Sequence, residues 1–345
     1  MMNRVFCCRI RAFFCRIQHA LFFAATSADA AGRISKEIRR LLYHNRGALR
    51  RSGCGQGGAM DLPSRQRRYH DRWVHYTISL KVKAMENKLL LNLIEDRFER
   101  FQKTYSIVTT DFLDLSQQSC AGPFLKTHRA EGVFLYGGYE DADRRQIVFV
   151  PDYLGIESED QLTTYFRENV QDCPMAVLDV TAGRKDAELG HSDYLGSLLA
   201  LGIRREKTGD IIVRSGGAQI LVNREIAPYL AENYSKAGRI SLKTQILPIS
   251  ELKEQKAETK TMRLPVSSAR LDNIISAVFG ISRKSASEAI NRGIVFVNDM
   301  EMKKPDHFLK GGEKIVLRGK GKAIYKGSFG TSRKGKIYAE FDRYI

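Results

Sequence analysis

Apolar positions recur at helical spacing most clearly toward the C-terminal end of the chain. Leu271, Ile274, Ile275, Val278 and Phe279 fall at i, i+3, i+4, i+7 and i+8, which predicts an amphipathic helix with a complete apolar stripe. Gly280 follows as a left-handed C-cap. Ser282 is placed to N-cap a second helix that buries Ala286, Ala289 and Ile290, the alanines allowing close approach to the first. Gly293 ends that helix, Ile294–Val297 reads as a strand turning at Asn298-Asp299, and Gly311-Gly312 precedes another strand, Lys314–Arg318. Further on, Ala323–Ser328 and Lys336–Phe341 alternate well enough to predict a basic hairpin across Gly330–Gly335.

Upstream, Leu90, Leu93, Ile94, Phe98 and Phe101 trace one face of a helix expected over Glu86–Thr104. A short helix is expected near Asp111, with Gly122-Pro123 breaking the chain, and Val133–Tyr136 and Gln146–Val150 read as strands. From Met175 the expected order is strand, helix (His191–Leu201), hairpin (Asp210–Arg214 and Ala218–Val222), helix (Asn223–Tyr234) and strand (Arg239–Ile246). That β-α-β-β-α-β order is ferredoxin-like or RRM-like. RRM domains stack bases on aromatic residues of their central strands, and Ile211–Val213 and Gln219–Val222 offer none. Ser250–Lys260 is charged, without Gly or Pro, and reads as a linker. The expected class is therefore multidomain α+β: an extension at 1–84, a small α+β domain at 85–165, an RRM-like domain at 170–250, a linker at 251–262 and a C-terminal module at 263–345.

Charge divides the chain along the same lines. The 345 residues carry a formal net charge of +17. Residues 1–84 hold 17 Lys and Arg against 4 Asp and Glu, residues 85–262 hold 22 against 27, and residues 263–345 hold 17 against 8. A basic head thus precedes a mildly acidic body and a basic C-terminal module. The head, with Cys7, Cys8, Cys15 and Cys54, keeps no apolar period for three helical turns. A targeting peptide, a basic RNA-binding arm and upstream sequence translated ahead of a start at Met85 are the competing readings, and the last is the expectation. Only Cys120 and Cys173 lie beyond it, too few for a disulfide framework, so a reducing cytoplasm is the default compartment. No apolar run approaches the ~20 residues of a membrane span, so no membrane partner is expected.

The candidate chemistry is a grip on phosphate. Arg283 and Lys284 occupy the first turn of the second C-terminal helix, where free N–H groups already attract anions. Cations at that end oppose the helix dipole unless an anion arrives, and Arg270 opens the first helix with the same inversion. Asp272 reads as a structural partner for a nearby base. Arg292 is ambiguous, because a cation near a helix C-terminus stabilises it. Lys303 and Lys304 extend the patch, and Arg204, Arg205 and Lys207 form a secondary candidate, read equally as a solvated loop. No catalytic or metal site is expected: His191-Ser192-Asp193 are adjacent at a helix start, where a cap is the better reading, and the His and Cys positions lack zinc spacing.

Arg270-Leu271-Asp272, Ser282-Arg283 with Ala286, and Gly293 through Val297-Asn298 together resemble the S4 domain, a small RNA-binding module. By that resemblance Arg270 and Arg283 fall on positions that grip structured RNA. Only 47 residues follow Asn298, too few for the catalytic domain of a pseudouridine synthase or rRNA methyltransferase, and the nucleotide motifs of a tyrosyl-tRNA synthetase are missing. Residues 85–345 as a whole resemble the bacterial YlmH family, on Phe134–Tyr139, His191–Gly196, Gly202–Ile211 and the C-terminal module in order. The resemblance implies a non-catalytic factor of ribosome-associated quality control, without a cofactor, whose partners are the ribosome, rRNA of the large subunit and peptidyl-tRNA. An RNA-modifying enzyme with an appended S4 domain, or a ribosome assembly or structural factor, are the alternatives.

Overall fold

The structure is a computed structural model that describes residues 64–183, 189–253, 259–331 and 336–344. The expectations placed on residues 1–63 and on the turn of the C-terminal hairpin lie outside the described residues. The chain divides into two compact units, Met1–Lys88 and Leu89–Ile345. Among the described residues, helices combine with three wholly antiparallel sheets, the mixed α+β content that the patterning predicts.

The helix expected from Glu86 begins earlier, at Ser64, and runs to Thr104 (α1). Residues 64–85 contain neither Gly nor Pro, so nothing local stops the helix at Met85. Next come strand β1 (Val108–Thr109) and helix α2 (Leu115–His128). Helix α2 corrects the expected break at Gly122-Pro123. Asp114 and Gln117 form a reciprocal capping box. Gly122, where a Cβ would stand 3.3 Å from the Met300 sulfur, lets the helix lie close against the C-terminal module.

Strands β2 (Val133–Tyr136) and β3 (Gln146–Phe149) pair with β1 in the order β1-β3-β2. Helix α3 (Glu159–Glu168) is an element the patterning missed; Ser158 caps it and Leu162 and Phe166, four residues apart, are buried. The second sheet uses β4 (Met175–Ala182), β5 (Thr208–Arg214), β6 (Gly217–Asn223), β7 (Lys236–Ala237) and β8 (Ile240–Leu247), in the order β5-β6-β4-β8-β7. Helices α4 (His191–Ala200) and α5 (Ala227–Asn233) pack on one face. At the start of α4, the Asp193 carboxylate accepts the Gly190 N–H at 2.8 Å, which makes Asp193 a capping residue.

The two faces of β4 meet different partners. Ala176, Leu178 and Val180 join Tyr194, Leu198, Leu230 and Tyr234 of the helical layer. Met175 and Val177, with Leu221, join Phe112, Phe134, Tyr136, Val148, Leu162 and Phe166. The sheet face opposite the helices is thus part of one core with the elements before it, and its remaining end carries the Asp179–Arg214 ion pair at 2.6 Å. Leu221 of β6, and Ile212 of β5 in part, pack against those apolar neighbours on that face.

The third sheet contains β9 (Thr259–Val266), β10 (Val295–Val297), β11 (Met300–Glu301), β12 (Glu313–Leu317), β13 (Gly321–Thr331) and β14 (Ile337–Tyr344), in the order β11-β10-β12-β13-β14-β9. Strand β9 corrects the linker expectation: from Thr259 the chain pairs with β14 along its full length. Helices α6 (Leu271–Phe279) and α7 (Arg283–Asn291) cover one face, burying the apolar positions that the spacing selects. Gly280 takes φ +63°, the left-handed conformation its C-cap role requires.

Candidate nucleic-acid interface

The polar side of the α6–α7 hairpin is organised around one carboxylate. Asp272 sits in the first turn of α6 with its side chain only 7% exposed. Its two oxygens accept from Arg270 Nε and an Arg270 terminal nitrogen at 3.1 and 3.2 Å, and from Arg283 at 3.4 Å. Burial alone would push this carboxyl up. The hydrogen bonds and charge of the two guanidiniums outweigh burial and hold it below the usual carboxylate range. The same pairing holds the Arg270 guanidinium above the ordinary arginine value.

Two arginines from different helix starts are therefore brought to one point, Arg270 half-buried and Arg283 open to solvent. The Arg283 side chain is 60% exposed. Ser282 caps α7 through its Oγ, which accepts the Ser285 N–H at 3.0 Å, and no acidic residue stands in the first turn. The remaining N–H groups, Arg283 and the exposed Lys284 thus present positive potential at one helix end.

The other sequence candidates separate. Arg292 is exposed at the opposite end of α7, about 13 Å along the axis, and its position as C-cap suits the dipole. Lys304 is exposed in the loop that returns toward Arg270. Lys303, also exposed, stands 3.7 Å from Glu301. Of the secondary group only Arg204 is exposed. Arg205 turns inward and donates to Thr208 O, Thr208 Oγ1 and Gly209 O at 2.7, 2.5 and 2.9 Å, and burial lowers its guanidinium to about 10. Lys207 meets Asp111 at 2.7 Å and Glu225 at 3.8 Å. Arg205 and Lys207 are thus committed to protein partners: the chain folds Thr208 and Gly209 back onto Arg205, and Asp111 and Glu225 reach Lys207 from other elements.

The structure adds residues that spacing did not select. The 305–309 loop crosses the start of α6: Leu271 N–H donates to His307 O at 2.8 Å, and Leu309 N–H donates to Ala269 O at 3.0 Å. Between these bonds Arg270 and Phe308 face each other as an antiparallel bridge. Phe308 is 63% exposed, whereas Leu309 is buried. The adjacent Phe308-Leu309 pair was the available signal, since two neighbouring residues in an extended segment cannot both enter one core.

Comparison with known proteins places this chain near one group. The family model described as "Putative RNA-binding domain in YlmH" matches residues 168–251. Over 243 residues the chain is 26% identical to "Ribosome-associated protein quality control protein P2" of Bacillus subtilis (strain 168), an overlap of 70% of this chain and 89% of that protein. The solved structure titled "Cell division protein ylmH from Streptococcus pneumoniae" aligns with 49% of this chain and 95% of its own at 18% identity and a TM-score of 0.38, a likeness on which nothing here rests.

Proposed function

We propose, from the premise that the chain belongs to the YlmH family, that it is a ribosome-associated RNA-binding protein whose C-terminal module, an S4 domain, grips rRNA of the large subunit together with tRNA. The observation that carries this reading is the pair Arg270 and Arg283, drawn from the starts of α6 and α7 to a single buried carboxylate, with Arg283 exposed to solvent. One carboxylate answers two guanidiniums, and no acid stands in the first turn of α7, so RNA phosphate supplies the anion that Arg283 and Lys284 still lack.

The β4–β8 sheet is read as RRM-like in strand order, but its usual RNA-binding face meets Phe134, Tyr136 and Phe166 instead. Base stacking on that sheet is therefore not part of the proposal. The role is read as non-catalytic, in the cytoplasm, and in quality control of stalled nascent chains; the printed name of the Bacillus relative supports the ribosome-associated quality-control part for that protein. Among the described residues, no helix is long and apolar enough to cross a membrane.

The test is co-sedimentation with purified large subunits. Arg270→Glu combined with Arg283→Glu should abolish it while circular dichroism still shows the native fold, with melting lowered because Asp272 loses both partners, and wild-type affinity should fall steeply with salt. Unchanged co-sedimentation of the double variant would overturn the RNA reading. A modified nucleotide formed by the purified protein on RNA would overturn the non-catalytic part.

A further inference from the structure

We infer that Phe308 is a stacking platform for one unpaired RNA base, set beside the phosphates that Arg270 and Arg283 hold; the inference rests on the RNA reading above and deepens it. The register supplies the geometry. Because Leu271 bonds His307 and Leu309 bonds Ala269, the Arg270–Phe308 bridge is a non-hydrogen-bonded antiparallel pair. Residues in such a pair have Cα atoms about 4.5 Å apart and side chains rising from the same side. Leu309 enters the core at 6% exposure, and alternation turns Phe308 outward at 63%. The phenyl ring therefore emerges next to the guanidinium that shares Asp272 with Arg283.

Folding does not call for a phenyl ring at this position. Leu309 supplies the buried contact, and the backbone bonds that tie the loop to the start of α6 run through Pro305, His307 and Leu309. A single exposed apolar side chain is ordinary on a protein surface; what points to a ligand is its company. Lys304 and His307 belong to the same loop, with Asp306 as its acid facing Arg270. An unpaired nucleotide carries a phosphate and a flat π-face within one residue of chain, and so satisfies a cation and an aromatic ring side by side. A paired helix offers only its phosphates there, because its bases are already stacked. The ligand class is thus structured RNA with an unpaired base, such as a loop or bulge.

The experiment uses the full chain and two RNA probes of equal length and charge, a hairpin with 2-aminopurine in its unpaired loop and a blunt duplex. Phe308→Ala and Phe308→Leu should each weaken hairpin binding about five- to hundredfold, the range of one lost stacked base, and leave duplex binding at the wild-type level. Phe308→Tyr should restore hairpin binding. Wild type and Phe308→Tyr should quench loop 2-aminopurine fluorescence, and the Ala and Leu variants should not. The salt dependence should stay constant across all of them, since the phosphates engaged are unchanged. Hairpin binding by Phe308→Ala at the wild-type level, or full activity of Phe308→Leu, would overturn the stacking role. The Arg270→Glu/Arg283→Glu variant separates the two layers of the argument. If it loses both probes while Phe308→Ala loses neither, the stacking inference alone fails; if it retains both, the RNA reading beneath it fails as well.

Discussion

Asp272 positions the candidate interface more directly than either arginine does, because it is the buried end of both contacts. Its folded-state pKa lies below its unfolded value, so the stability it contributes is present above the unfolded carboxylate pKa and is lost as pH falls through the folded one. Asp272→Asn should therefore lower stability at pH 7 by about 1 kcal/mol, a modest loss because solvent screens the half-buried Arg270 and the exposed Arg283. The gap from wild type should close below about pH 4, as urea unfolding at several pH values would show. A gap constant down to pH 2 would mean that the charge is not the source. Arg205 makes the opposite case among the candidates. Arg205→Ala removes one donor each from Thr208 Oγ1, Thr208 O and Gly209 O, of which Thr208 O keeps Arg144 Nε and the Thr208 hydroxyl keeps its bond to the backbone oxygen of residue 205, and should cost about 1 kcal/mol while RNA affinity stays unchanged. Sequence could not separate Arg205 from Arg283, since both read as a cation beside a turn. The difference is that carbonyls fold over one and solvent surrounds the other. What was legible at Arg283 was its place in a helix first turn without acids, which is a local property.

Elements were readable where their signal was local. The stripe of α6, its Gly280 cap, the Ser282 cap and the small face of α7 all follow from spacing within twenty residues, and each takes its expected place. Strand β9 did not read as a strand because it is an edge. It presents Thr261 and Arg263 outward and contains Pro265, which an edge strand tolerates because its outer N–H groups need no partner. Its inward Met262 and Leu264 acquire meaning only once β14 lies beside them. Helix α2 misled in the same way: Gly122-Pro123 is a break by local rules, and the capping box and the neighbouring Met300 overrule it. The hairpin of β5 and β6 offers a sharp test at this scale. A Cβ on Gly217 would stand 2.1 Å from the Val180 carbonyl oxygen of the adjacent strand, and a backbone atom cannot step aside as a side chain can. Gly217→Ala should cost about 3 kcal/mol in thermal or urea unfolding. A loss under 0.5 kcal/mol would show that β4 and β6 are not held in this register.

At the scale of the body and its basic module, charge distribution pointed to where RNA would bind, but not to how the module is held. The module sheet has two faces with separate tasks. Val295, Val297, Ile315 and Leu317 face α6 and α7, while Phe296 and Val316 meet Leu115 of α2 on the other side. Around that apolar contact, Arg318 reaches Asp114 at 3.2 Å, Lys322 reaches Asp143 at 2.6 Å, and Ser119 Oγ accepts the Glu301 N–H at 2.9 Å. None of these pairings is closer than about 150 residues in sequence, which is why no local pattern announced them. Docking through the sheet leaves the helix starts with Arg270 and Arg283 free, and this separation can be tested. Leu115→Asp would bury a carboxylate against Phe296 and Val316, at a cost of about 3 kcal/mol to the docked arrangement, while the module retains its own complete core. The expected outcome is a larger radius of gyration in solution scattering, unchanged affinity for a small RNA hairpin, and weaker co-sedimentation with large subunits. The last loss would arise because a ribosome-sized target needs the module at a fixed distance from the body, and a tethered but undocked module must spend binding energy to recover it. If hairpin affinity fell together with co-sedimentation, the docking surface would be part of the RNA grip rather than its support.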